Sequence, residues 1–98
     1  MTKVQPLYNR SGKPVPNQYI IIADNKDHRY CIFQSYNSTI VLKNYKTEST
    51  WLDKKYWNYS KTTSKYRNQF LNETTKETQA KIDSGEYILK DLNAWNPI

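Results

Sequence analysis

The chain is 98 residues long, with fifteen Lys and Arg against nine Asp and Glu for a formal net charge of +6. That length leaves room for one hydrophobic core, so a single domain is expected over residues 1–98. The longest apolar run, Tyr19-Ile20-Ile21-Ile22-Ala23, is far short of a membrane span, Met1 to Pro6 lacks the apolar stretch of a secretory signal, and a lone Cys31 excludes an intramolecular disulfide. The expectation is a protein of a reducing cytoplasm that does not enter membranes.

Hydrophobic residues make up 37% of the chain, and they include nine Tyr, three Trp and two Phe. Aromatic rings bury large areas per residue, so a short chain can still assemble a core from few side chains. Lys, Asn, Tyr and Ile together supply 39 of the 98 residues, which is the signature of A/T-rich codons. Codon bias therefore accounts for part of the Lys and Tyr abundance before any function does.

In chain order, residues 1–17 carry Pro6, Pro14, Pro16 and Gly12, with Asn9-Arg10-Ser11-Gly12 reading as a turn. An irregular arm is expected there, with at most a short edge strand over Val4 to Tyr8. The compact core is placed over residues 18–92. Gln18 to Ala23 is a β-branched strand, Asp24-Asn25-Lys26-Asp27 has turn chemistry, and Arg29 to Tyr36 is a second strand completing a hairpin. After a break at Asn37-Ser38, Thr39 to Asn44 is a third strand, and Thr50-Trp51-Leu52 follows a polar loop.

Near Ser60 the pattern becomes helical. Thr62 or Thr63 is placed as the cap of a helix carrying Tyr66, Phe70 and Leu71 on one side. Thr74 and Glu77 have capping-box spacing, and a second helix is expected from Thr75 to Ser84, ended by Gly85 in the left-handed region. Glu86 to Leu89 closes as a last strand able to rejoin the sheet. The predicted class is α+β: an antiparallel meander of three to five strands, with two short helices from the C-terminal half packed on one face. Residues 93–98 form a tail in which Trp95 is too large to leave unpacked.

The sequence offers little chemistry. His28 is the only histidine and stands three residues from Cys31, an odd separation that puts the two on opposite faces of a strand. One His and one Cys cannot complete a four-ligand zinc site, and Gly12 and Gly85 are too isolated for a phosphate loop. Asp24 and Asp27 flank a turn, where solvated carboxylates are the ordinary reading and a metal-binding pair the sharper one. Three Asn-x-Ser/Thr triplets, at Asn37, Asn58 and Asn72, follow from an Asn- and Thr-rich composition. No enzyme, cofactor or metal is expected.

Charge is unevenly distributed. Residues 43–67 hold seven basic and two acidic groups (+5), against +3 for residues 1–42 and −2 for residues 70–98. Within that segment Lys43, Lys46, Lys54, Lys55, Lys61, Lys65 and Arg67 alternate with aromatic residues, of which Tyr56 and Tyr59 are the candidate anchors. Such a surface would attract a polyanion, neutralising phosphates and presenting rings to unpaired bases. Lysine outnumbers arginine twelve to three, which favours phosphate contact over base readout. The competing reading is that Trp51, Trp57, Tyr66 and Phe70 are core and that the lysines only solubilise. Both readings stand on sequence.

The block Phe33-Gln34-Ser35-Tyr36-Asn37-Ser38-Thr39-Ile40-Val41, followed by Tyr56-Trp57-Asn58-Tyr59-Ser60-Lys61-Thr62-Thr63 and Tyr66-Arg67-Asn68-Gln69-Phe70-Leu71, resembles a family of small uncharacterised proteins from phages and mobile elements of Gram-positive bacteria. The similarity spans roughly residues 19–92 and includes the closing Gly85-Glu86-Tyr87-Ile88 strand. It implies a genomic setting and no assigned residue roles. Small non-enzymatic proteins from such elements commonly block host machinery or defence nucleases, CRISPR effectors among them. The expectation is thus an inhibitor of a host nucleoprotein complex, of anti-CRISPR type, acting through the basic, aromatic-rich surface. The alternative is a sequence-tolerant DNA- or RNA-binding protein for phage replication or packaging.

Overall fold

The computed structural model describes residues 2–94. Five strands run as an antiparallel meander: β1 (Thr2–Tyr8), β2 (Pro14–Asn25), β3 (His28–Ser35), β4 (Ser38–Asn44) and β5 (Ser49–Asp53). Two helices, α1 (Lys61–Leu71) and α2 (Thr75–Asp83), then carry the chain back so that β6 (Tyr87–Lys90) joins β5 in parallel. The fold is α+β, as expected. The sheet has six strands rather than three to five and is mixed rather than wholly antiparallel. A parallel neighbour requires a long crossover, and the α1–α2 pair supplies it.

The N-terminal residues depart furthest from the sequence expectation. In place of an irregular arm over residues 1–17, β1 and β2 form a hairpin around the Asn9–Gly12 turn, in which Asn9 Oδ1 accepts from the backbone N–H of Ser11 and of Lys13 at 2.9 and 3.0 Å. The prolines are compatible with this pairing. Pro6 lies on the edge strand and Pro14 at the first position of β2, both places where a missing N–H leaves no central ladder bond unmade.

Strand alternation gives the sheet two apolar faces. On one, Gln5, Ile20, Phe33, Val41, Leu52 and Leu89 stand side by side across all six strands. Both helices cover this face: Leu71, Phe70 and Tyr66 of α1 and Ile82 of α2 pack with Phe33, Val41 and Leu52. A bulge in β4 pairs Phe33 with Val41 and Gln34 with Thr39, so Ile40 is the extra residue, and Ile40 and Val41 both enter the same core. Ser35 Oγ and Thr63 Oγ1 meet at 2.8 Å between β3 and α1, satisfying two buried hydroxyls against each other.

The opposite face carries the row Val4, Ile21, Ile32, Leu42, Trp51 and Ile88. Its centre is covered by Leu92, which clusters with Ala23, Tyr30, Ile32 and Leu42. The segment after β6 is held there by Asn93, which accepts from Thr39 N–H at 2.8 Å and donates to Thr39 C=O at 3.1 Å. The tail expected over residues 93–98 is thus anchored at its start, and Trp95 lies outside the described residues. Among the described residues no helix is long and apolar enough to cross a membrane.

Helix ends follow capping chemistry. Ser60, rather than Thr62 or Thr63, caps α1: its side chain accepts from Thr63 N–H at 3.1 Å. Thr63 is then free to turn inward, and it is fully buried. Asn72 in the left-handed region ends α1, and the Thr74–Glu77 capping box opens α2 as the spacing predicts. Gly85 follows α2 at φ +85°, where a side chain would be strained.

Candidate binding surface

The lysine-rich segment begins where β5 ends. Asp53, almost completely buried, accepts through Oδ2 from Lys55 N–H at 3.1 Å and Tyr56 N–H at 2.8 Å, and through Oδ1 from Leu92 N–H at 2.9 Å. One carboxylate thus folds the turn after β5 and ties it to the segment after β6. Lys54 and Lys55 project from this turn. Tyr56 packs against the helix-covered core and meets Tyr59 edge-on, with ring centroids 5.1 Å apart.

Arg67 organises the other side of the turn. It is 0% exposed and is therefore corrected from a surface candidate to a buried structural residue. Its guanidinium donates to the carbonyl of Trp57, to Asn58 Oδ1 at 3.3 Å, to Asn68 Oδ1 at 2.8 Å and to Thr75 Oγ1 at 2.7 Å. It also lies 5.1 Å from the centroid of the Trp57 ring. Burial pushes its pKa below the usual arginine range. The planar fork reaches acceptors from three separate segments at once, which lysine could not do. A sequence signal existed: Thr63, Arg67 and Leu71 are spaced four apart and share the buried face of α1.

With Arg67 turned inward, the remaining cations divide into two groups. Lys54, Lys55, Lys61 and Lys65 are exposed, and none forms a salt bridge with another described residue. Lys55 and Lys65 lean over the rings of Tyr56 and Tyr66, each 5.3 Å from the centroid. No acidic residue occurs between Asp53 and Glu73. Tyr59, 48% exposed, stands among these lysines, and Trp57 and Tyr66 are packed against the core.

Lys43 and Lys46 do not join that group. Lys43 is half-buried on the helix-covered face, 5.2 Å from the centroid of Phe70. Lys46 sits in the turn before β5, at the opposite end of that strand from Lys54, and pairs with Asp27 at 3.8 Å. A five-residue strand separates them by roughly 15 Å along its axis.

His28 stacks on Tyr30 at 5.8 Å and lies against Asn44, whereas Cys31 alternates to the other face, its thiol pushed up in pKa by burial. Asp24 pairs with Arg29 at 2.8 Å, which holds its carboxyl below the usual range, and Asp27 turns to Lys46. The two carboxylates therefore face separate cations.

A family model for a family of unknown function, DUF8033, matches residues 2–86. The chain belongs to the DUF8033 family. The matched span takes in the meander, the turn after β5 and both helices, so every candidate lysine and the buried Arg67 lie in the family's own region. No curated protein and no solved structure matches the chain.

Proposed function

We propose that this DUF8033 protein is a non-enzymatic binding protein of a phage or mobile element that inhibits a host nucleoprotein complex, a defence nuclease of CRISPR type being the partner class in view. The observation that carries the reading is the set Lys54, Lys55, Lys61 and Lys65: four exposed ammonium groups without carboxylate partners among the described residues, on a turn and helix start fixed by Asp53 and Arg67. A solubilising surface mixes both signs of charge, whereas a stretch of one sign creates a local field that steers association with a polyanion.

Tyr59 supports docking over direct strand binding. Sequence-tolerant single-strand binders present several rings on which successive bases stack. Here Trp57, Tyr56 and Tyr66 are packed against the core, and Tyr59 is left beside the lysines as one exposed amphipathic anchor. One ring within a cationic rim suits a protein or nucleoprotein interface with a central contact.

The reading is tested by capturing tagged protein from a bacterial lysate with and without nuclease and identifying what is retained by mass spectrometry. A single defence or replication complex that survives nuclease treatment is the expected result. Recovery of nucleic acid with assorted proteins, lost on nuclease treatment, would instead favour direct nucleic-acid binding.

A further inference from the structure

A groove of about 660 Å³ opens between the β1–β2 turn, α1 and the α1–α2 junction. We propose that it binds a nucleoside monophosphate, with Arg10 and Lys65 on the phosphate and the amides of Gln69 and Asn72 toward the base edge. Its volume falls within the range of roughly 300–1,000 Å³ typical of small-molecule sites.

The walls are mutually fixed. Gln69 Nε2 donates to Tyr8 C=O at 2.6 Å, fastening the hairpin end to α1. Asn68 and Arg67 both donate to Thr75 Oγ1, fastening α1 to the start of α2. Arg10 sits on a turn closed by Asn9 N–H to Lys13 C=O at 2.8 Å and Gly12 N–H to Asn9 C=O at 2.9 Å. The groove is therefore formed before any ligand enters, which limits the ordering cost of binding.

Electrostatics select an anion. Glu73 is engaged by Thr78 Oγ1 at 2.8 Å and Lys81 Nζ at 2.6 Å, and Glu77 accepts from Thr74 N–H at 3.0 Å in the capping box. Lys81 holds Glu73 at 2.6 Å, with Glu86 more distant at 4.0 Å, and the Glu73 carboxylate is turned inward onto Lys81 and Thr78. Glu77 is then the carboxylate that faces Arg10 and Lys65, neither of which forms a salt bridge with a described residue. Arg10 offers the planar fork suited to a phosphate and Lys65 a mobile point charge. Among the described residues Asn72 makes no side-chain hydrogen bond, and Gln69 is engaged through Nε2 alone, its Oε1 accepting from none of them. An amide carries donor and acceptor together, as the edge of a nucleobase does.

The proposal does not rest on the lysine surface, with which it shares only Lys65. The test is an amide ¹H–¹⁵N titration of the whole protein with 5′-AMP, adenosine and inorganic phosphate. Saturable shifts at Asn9, Arg10, Asn72 and Thr74 with 5′-AMP are expected, with adenosine and phosphate each weaker by about tenfold or more. R10A/K65A should lose about tenfold or more in affinity for 5′-AMP. N72A, with both charges intact, should weaken 5′-AMP and leave phosphate unchanged, and K54E/K55E/K61E should bind as the parent does. A 5′-phosphorylated trinucleotide binding like 5′-AMP, with its 5′-hydroxyl form inactive, assigns the ligand to a strand end; 5′-AMP alone assigns it to the free nucleotide. Shifts elsewhere, equal binding of phosphate alone, or unchanged affinity in R10A/K65A would overturn the proposal.

Discussion

The guanidinium of Arg67 lies over the indole of Trp57 and donates to the carbonyl of the same residue. This one pair joins α1 to the turn that carries Lys54 and Lys55, and it makes the turn part of the folded core. The presentation of the lysines therefore depends on a buried cation that takes no part in presenting charge itself.

Arg67→Ala should destabilise the protein by about 2–4 kcal/mol, since it removes hydrogen bonds made by a fully buried charged donor to part-buried acceptors and leaves a cavity in its place. Arg67→Lys should recover little of this, because an ammonium cannot reach Trp57, Asn68 and Thr75 together. Urea unfolding with a shared slope measures both. A loss below about 0.5 kcal/mol for the alanine variant would place Arg67 among ordinary surface residues.

Phe33 and Phe70 stack at 5.7 Å between β3 and α1, with Phe33 fully buried. Phe33→Ala should cost about 3–5 kcal/mol, and Phe70→Ala, at a half-buried site, distinctly less. Thermal unfolding of the two variants gives the order, and a reversed order would contradict the packing described.

Glu73 couples α2 to the sheet edge. Burial alone would raise its pKa, but hydrogen bonds from Lys81, Thr78 and Tyr87 outweigh burial and hold it below the usual carboxylate range. A folded-state pKa below the unfolded one stabilises the fold above the unfolded value, and that stability disappears as pH falls through the folded value. Glu73→Gln should thus be less stable than the parent near neutrality by roughly 1–3 kcal/mol. The gap should close on acidification below about pH 4. A gap independent of pH would show that the effect is steric.

Features governed by neighbours in sequence were legible, and features governed by distant partners were not. The β2–β3 hairpin, the Thr74–Glu77 capping box and Gly85 follow from local rules; the hairpin turn is tighter than its sequence implies, because Asp24 and Asn25 pair with Arg29 and His28 and leave only Lys26-Asp27 between the strands. The Asn9–Gly12 turn was also visible, but Pro6 and Pro14 masked the strands on either side because proline statistics do not state whether a strand is at the edge. The parallel pairing of β6 depends on where α1 and α2 deposit the chain. Of the candidate site, Lys54, Lys55, Tyr59, Lys61 and Lys65 are exposed as required. Arg67 read as surface by residue type, and its acceptors at Trp57, Asn68 and Thr75 become neighbours only in the fold.

The central claim is that position, and not total charge, makes the lysine surface a binding site. Reversing Lys54, Lys55, Lys61 and Lys65 to Glu can be compared with the same change at Lys3, Lys13, Lys26 and Lys76, four other exposed lysines. Both sets alter net charge equally, and single exposed substitutions cost little stability, usually within about 0.5 kcal/mol. Quantitative capture of the nuclease-resistant host complex by each protein is the most direct measurement. Loss of capture in the first set and retention in the second is the predicted result; equal retention, or equal loss, would contradict it.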